Sequence, residues 1–305
     1  MSSQILKMFI NTEFQSQGAT IRGRLYKPVN SSISLPIVIM THGFSATIGM
    51  VTDYYAEEFC KSGFAVLLFD HRNFGISDGE PRQEINKWLQ MRGYEDATNF
   101  VGGLEGIDSK RIALWGDSLS AGQALVLGSI DSRIKVIIGQ VPACNDKSAP
   151  ADEDGKLFGA IVEFHKNGDI VGKPEITNGP LPVVSTDQKG TPSLLKPLTA
   201  FRWFIEYGGR HNIGWKNLAT YVNPNAIVLF HPALCAKHIK AAVFLLIAKE
   251  DELTSSVVAK EVYDLIPGSK ELMEVEGGHF GLLYHPSEIF NKASKAQCDF
   301  LKNHL

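Results

Sequence analysis

Gly116-Asp117-Ser118-Leu119-Ser120 sets a serine at the junction of a short apolar run, Arg111–Trp115, and a helix-forming stretch, Leu119–Ile130. A serine hydroxyl attacks an acyl carbonyl only when a base takes its proton and the chain lifts it clear of the backbone. A sharp strand-to-helix turn does the lifting, and it has steric demands. The residue two before the serine must be small, because strand and helix nearly touch there, and Gly116 meets that need. Ser120, two after it, is also small, and Ala121 and Gly122 keep the start of the helix slim. The helix start offers backbone N–H groups and the positive end of a dipole to a developing oxyanion. A serine before a helix also serves as a plain N-cap, so the motif needs partners before it means catalysis.

Those partners stand in the chain order that such a turn requires, serine, then acid, then histidine. Glu276-Gly277-Gly278-His279-Phe280 follows a short strand-like run, Leu272–Val275, and its glycines let a loop deliver an imidazole. The acid belongs in the turn after the preceding apolar run, Ala242–Ala248, where Glu250, Asp251 and Glu252 compete; Asp251 is taken as the acid. Thr41-His42-Gly43-Phe44 follows the run Pro36–Met40, the place from which a second oxyanion donor comes. The backbone N–H groups of Phe44 and Leu119 are assigned that role. His71, in Phe69-Asp70-His71-Arg72-Asn73, is a rival base but reads as structural, with Asp70 and Arg72 tied to neighbouring turns; His285 lies too near the last helix.

Apolar runs at Pro36–Met40, Ala65–Phe69, Arg111–Trp115 and Ile134–Val141 alternate with helical stretches at Asp53–Ser62, Glu84–Gly103 and Leu119–Ile130. This is the rhythm of a parallel sheet covered on both faces, preceded by two antiparallel edge strands at Met8–Phe14 and Ala19–Tyr26. The rhythm lapses between about Asn145 and Leu234, where Asn178-Gly-Pro and Lys189-Gly-Thr-Pro break the chain. It returns at Ala242–Ala248, with helices at Ser255–Ile266 and Pro286–Leu305. A structureless loop of that length is improbable in a compact domain, so residues 145–234 read as a helical cap inserted into a core of residues 1–144 and 235–305. Helices are expected in the cap at Gly155–His165 and Leu195–Tyr207, and no buried strand is visible there. Its aromatics chiefly form the cap's own core, with Phe158, Phe201 and Trp203 as candidates for substrate contact.

The 305 residues are 44% hydrophobic and 21% charged, with a net charge of −3, so there is no basic footprint for nucleic acid. Cys60, Cys144, Cys235 and Cys298 form no CxxC pair and are expected as reduced thiols, and the nine histidines form no metal-spaced cluster. The N-terminus lacks a signal-peptide pattern and no apolar stretch reaches the length of a membrane span. A cytoplasmic protein without membrane partner, metal or cofactor is expected, and the sequence does not decide whether it forms homo-oligomers.

Over almost the whole chain these residues resemble the α/β-hydrolase superfamily. The segment Ile112-Ala-Leu-Trp-Gly-Asp-Ser-Leu-Ser-Ala-Gly122, with Asp131–Pro142 after it, is similar to bacterial hydrolases related to dienelactone hydrolases and acetyl esterases, and to fungal polyketide transferases and thiohydrolases. Ser120 fits that branch; Ala121 and Asp117 depart from it, and Asp117 could disturb the charge near Ser118. Gly116-Asp-Ser-Leu119 also spells the GDSL-lipase signature, but it lies mid-chain after three buried strands and His279 has Glu276, not Asp, three positions earlier. The resemblance implies cofactor-free chemistry on a small-molecule acyl ester or thioester. An acyltransferase using the same residues and a non-catalytic ligand receptor on the same fold are the alternatives.

Overall fold

The computed structural model describes residues 9–29, 34–170, 174–210 and 213–305. Two strands come first, β1 (Phe9–Ser16) and β2 (Ala19–Tyr26), paired antiparallel with Ser16 opposite Ala19. Met8, where the first strand was expected to begin, lies outside the described residues. Then follow β3 (Leu35–Met40), α1 (Thr52–Lys61), β4 (Ala65–Phe69), β5 (Glu84–Ile85), α2 (Lys87–Val101), β6 (Ile107–Asp117), α3 (Leu119–Ile130) and β7 (Ile134–Gln140). The insert carries α4 (Lys156–Asn167), β8 (Pro174–Leu181), α5 (Leu198–Gly208), β9 (Ala219–Pro224) and α6 (Pro232–Ala236). The chain ends with β10 (Ala242–Ala248), α7 (Ser256–Leu265), β11 (Lys270–Val275) and α8 (Glu288–His304).

Eight strands form the main sheet in the order β1-β2-β4-β3-β6-β7-β10-β11, and only β2 runs against its neighbours. The central strands are buried on both faces, as a parallel sheet clad in helices requires. Alternation along them divides the core in two. Ile37, Ile39, Leu67, Ile112 and Leu114 pack on one face with the apolar stripes of α2, α3 and α7. Val38, Met40, Val66, Ala113 and Trp115 pack on the other with α1, α5 and α8. Two buried hydrogen bonds anchor the strand that leads to Ser118: Tyr94 Oη donates to the Trp115 carbonyl, and Trp115 Nε1 donates to Gln297 Oε1, both at 2.7 Å.

The insert differs from a purely helical cap. The expected helices are present as α4 and α5, but β8 and β9 pair antiparallel, and β5 adds to β9 as a third strand. Glu84 and Ile85 therefore belong to this small sheet instead of opening the long helix, which starts at Lys87 behind an Asn86 N-cap whose side chain accepts from Trp88 and Leu89 N–H. No helix among the described residues is long and apolar enough to cross a membrane. All four cysteines are free and buried.

Candidate active site

β6 ends and α3 begins at Ser118, whose backbone takes φ 52° and ψ −115°. That conformation is rare for a residue bearing a Cβ and stores strain of about 1–3 kcal/mol. The turn is fixed from both sides. Ser118 N–H donates to the Gln140 carbonyl at 2.8 Å, and its own carbonyl accepts from Ala143 N–H at 2.9 Å. A Cβ on Gly116 would stand 2.4 Å from the Ser120 carbonyl carbon, and one on Gly122 would stand 2.5 Å from the Ala143 oxygen. Ser120 is more than small: its hydroxyl accepts from Asp117 N–H at 2.9 Å and lies 3.2 Å from the Thr41 carbonyl oxygen, binding the turn to the end of β3.

The second turn lies beside the first. A Cβ on Gly43 would meet the Asp117 carbonyl and carboxylate oxygens at 2.8 Å and Ser118 Cβ at 3.1 Å, so glycine is required for the close approach. His42 supports this turn. Its Nδ1–H donates to the Gly43 carbonyl at 2.9 Å, its Nε2 accepts from His71 N–H at 3.4 Å, and burial lowers its pKa to about 4, which leaves it neutral. His71 is buried against His42 and Tyr94 and does not line the cavity at Ser118. Asp70 is a brace, as its sequence context suggested, with oxygens accepting from Ile48 N–H at 2.9 Å and Ile76 N–H at 3.0 Å.

His279 follows β11 on a loop with Gly277 at φ 89°. Trp203 Nε1 and Tyr55 Oη hold the continuation of that loop through the Leu283 and Leu282 carbonyls, both at 2.7 Å, and Trp203 stacks on Phe280 at 5.0 Å. Of the three acids after β10, Asp251 alone meets the imidazole: Nδ1 lies 2.8 Å and 3.0 Å from its two oxygens. The carboxylate also accepts from Leu253 and Thr254 N–H, each at 2.8 Å, and from Thr254 Oγ1 at 2.9 Å. Burial alone would raise this carboxyl; the His279 contact and the two backbone donors outweigh it and hold the group below its ordinary value. Glu252 accepts instead from His279 backbone N–H at 3.3 Å and bonds Thr199, while Glu250 engages Gly277 through its backbone N–H. Because a carboxylate only accepts, Nδ1 carries the ring proton and Nε2 is left basic.

Ser118, His279, Phe44 and Leu119 share one cavity of about 380 Å³. Among the described residues no hydrogen bond joins Ser118 Oγ to His279, a contact that commonly tightens only with substrate. The apolar wall comes largely from the cap and the loop after β11: Trp203, Phe204, Tyr221, Phe230, Phe280 and Leu283. Tyr221 stacks on Phe44 at 6.1 Å, tying the cap's sheet to the second turn. Of the three aromatics expected at the substrate, Trp203 lines the cavity. Phe158 does not, because it stacks on His238 at 3.7 Å, and Phe201 packs against the α1-side core instead. The lining also holds ionisable groups to which the sequence reading assigns no catalytic part, among them Asp117, Asp146 and Lys87. Burial raises Asp117 to about 7 against the opposing charge of His279 and the Gly43 N–H, and its Oδ1 has no partner among the described residues. Lys87 had a readable sign, since it occupies the same buried stripe as Met91 and Tyr94 at helical spacing.

Comparison with known proteins bears on the fold. The family model described as the alpha/beta hydrolase fold matches residues 36–181. The quorum-quenching protein AidA of Acinetobacter baumannii is 26% identical over 96% of this chain and 94% of its own length. The thiohydrolase aneE of Aspergillus aculeatus is 40% identical, over 45% of this chain and 42% of its own. Among solved structures, the α/β hydrolase GrgF from Penicillium sp. sh18 superposes with a TM-score of 0.73 at 22% identity, covering 97% of this chain and 98% of that one. The chain has the α/β-hydrolase fold and is similar to a bacterial quorum-quenching protein and to fungal thiohydrolases and polyketide transferases.

Proposed function

We propose that the chain is a serine hydrolase that cleaves a small carboxylic ester or thioester through an acyl-enzyme. The observation that carries this reading is the pairing, in one cavity, of a serine on a strained turn with an imidazole whose far nitrogen is clamped by a carboxylate. Ser118 Oγ attacks the acyl carbonyl as His279 Nε2 takes its proton, and Asp251 holds the ring and steadies the imidazolium. The N–H groups of Phe44 and Leu119 receive the oxyanion; one such donor is worth about 3–4 kcal/mol in known cases. The proton passes from His279 to the departing alcohol or thiol. Water, deprotonated by the same nitrogen, then releases the acid and restores the serine.

Similarity to thiohydrolases supports the thioester half of this reading. Acyl transfer to an acceptor other than water is a second reading, favoured by relatives named acyltransferase and polyketide transferase that align over 96% of this chain. One experiment addresses all of these: p-nitrophenyl esters and acyl thioesters of graded chain length, with fluorophosphonate labelling, on wild type and Ser118→Ala. Labelling and turnover that vanish together in the variant are expected. Labelling without turnover supports transfer, decided by product analysis with added alcohol or amine acceptors. Neither labelling nor turnover overturns the enzyme in favour of a ligand receptor.

A further inference from the structure

Lys87 is the first residue of α2, only 8% exposed, and among the described residues the only lysine or arginine in the cavity lining. Among the described residues its ammonium makes no hydrogen bond and no ion pair. The contact it does have is the ring of Phe230, with Nζ 5.2 Å from the centroid. Phe230 is held in turn by Trp88, edge to face at 5.0 Å. Its titratable neighbour His231 is no counter-ion: that ring caps α6, accepting from Ala233 N–H, and burial together with the Lys87 charge lowers its pKa. The carboxylates of Asp117 and Asp146 line the same cavity without pairing with the lysine.

No structural gain explains a lysine there. A buried ammonium without a carboxylate is costly. The start of a helix is also the end at which the dipole disfavours a cation. Burial lowers Lys87 to about 8, still charged at neutral pH. Met or Leu would fill the same stripe at no such cost.

We propose that Lys87 is a specificity residue that binds an anionic oxygen on the acyl group, so that the preferred substrate is a half-ester or half-thioester of a dicarboxylic acid, or an acyl chain with an equivalent ionised oxygen. This rests on the reading of the cavity as an acyl site. The catalytic groups hold the carbonyl end, while Lys87 supplies the counter-charge that the rest of the apolar wall lacks.

The test compares mono-p-nitrophenyl esters of dicarboxylic acids, from succinate to suberate, with their methyl-capped counterparts, on wild type, Lys87→Met and Lys87→Arg. At the best chain length, Lys87→Met should lose about 10- to 100-fold in kcat/KM on the acidic ester, the range of one charge-assisted hydrogen bond. The loss should fall mainly on KM. The capped ester should change by less than about twofold, and Lys87→Arg should keep part of the preference. An equal change on both substrates, or no acidic preference in wild type at any length, overturns the proposal. A binding measurement free of turnover keeps the two readings separate. Monomethyl adipate and its homologues are titrated calorimetrically into Ser118→Ala and into Ser118→Ala with Lys87→Met. Binding that needs the lysine supports the proposal even if no ester turns over; equal or absent binding in both sinks it.

Discussion

Replacing Ser118 by glycine and by alanine separates what the turn costs from what it does. At φ 52° and ψ −115° the serine bears strain of about 1–3 kcal/mol because its Cβ crowds the backbone. Glycine removes the Cβ, and the strain with it, but loosens the unfolded chain by about 0.5–1 kcal/mol. The hydroxyl makes no hydrogen bond among the described residues, so nothing is lost on that side. The net expectation for Ser118→Gly is a gain of about 0.5–2 kcal/mol. In a chain of this length that is a rise of about 1–4 °C in Tm. Ser118→Ala keeps the Cβ and the strain and should stay within about 0.5 kcal/mol of wild type. Calorimetric melting and guanidinium titration read the stability, while p-nitrophenyl ester turnover, absent in both variants, reads the chemistry. A Ser118→Gly protein less stable than Ser118→Ala refutes the reasoning, because the conformation would then not be a cost imposed by the side chain.

The triad acid can be identified by rank: Asp251→Asn should lower kcat/KM by about 100- to 10,000-fold, the scale of losing the tautomer clamp, and Glu250→Gln and Glu252→Gln should lose far less. A larger loss at either glutamate moves the acid there. Asp117→Asn should change how stability depends on pH. The folded carboxyl sits at about 7 against an ordinary 3.8, so the native state holds its proton longer than the unfolded chain, and stability from this group falls as pH rises from about 4 to about 7. At about 1.4 kcal/mol per pH unit the relief in Asp117→Asn approaches about 4 kcal/mol at pH 8 and vanishes near pH 4, which urea unfolding at the two pH values checks. Parallel stability curves for variant and wild type would show that Asp117 ionises normally. Gly43→Ala forces a Cβ to 2.8 Å from the Asp117 carbonyl oxygen, so the turn carrying Phe44 must shift. It should cost about 1–3 kcal/mol in stability and about 100-fold or more in kcat, and an active, stable variant argues against Phe44 as an oxyanion donor.

How much of this was legible depended on whether the cause was local. β4, α3 and β10 coincide end to end with the reading of the sequence, because each is a continuous apolar or helix-forming run bounded by a residue that cannot continue it. β5 was absorbed into a helix because its pairing is with Thr220 and Tyr221, and nothing near Glu84 announces a partner so far along the chain. β8 escaped notice because its described side chains from Ile176 to Pro180 are all exposed, which leaves no alternation to read. In the cap, composition pointed to aromatics at the site but not to which ones. Leu198, Phe201 and Ile205 lie on the more exposed side of α5, while Ala200, Trp203, Phe204 and Tyr207 are buried. Only the docking of the cap decides that Trp203 and Phe204 face the cavity and that Phe201 does not.

Asp117 and Lys87 show why the readable parts of the site were the ones proposed to be catalytic. The proposed nucleophile, base and acid are recognised by order and by the turns that carry them, so spacing betrays them. Asp117 follows no such order, and Lys87 shares the helical spacing of Met91 and Tyr94 but stands out as a cation in the wall only once its burial is known; burial shifts the two groups in opposite senses. It favours the neutral carboxyl and the neutral amine, and neither charge relieves the other, since neither is among the causes of the other's shift. With one group near 7 and the other near 8, the cavity at neutral pH holds a desolvated ammonium and a carboxyl divided between its neutral and ionised forms, not paired with each other. A chain selected for stability alone would replace both with apolar residues of similar volume. Places where local chemistry disagrees with the fold around it are where function is expected to be. Here both disagreements fall inside the cavity that holds Ser118, one beside the serine in sequence and one at the start of α2.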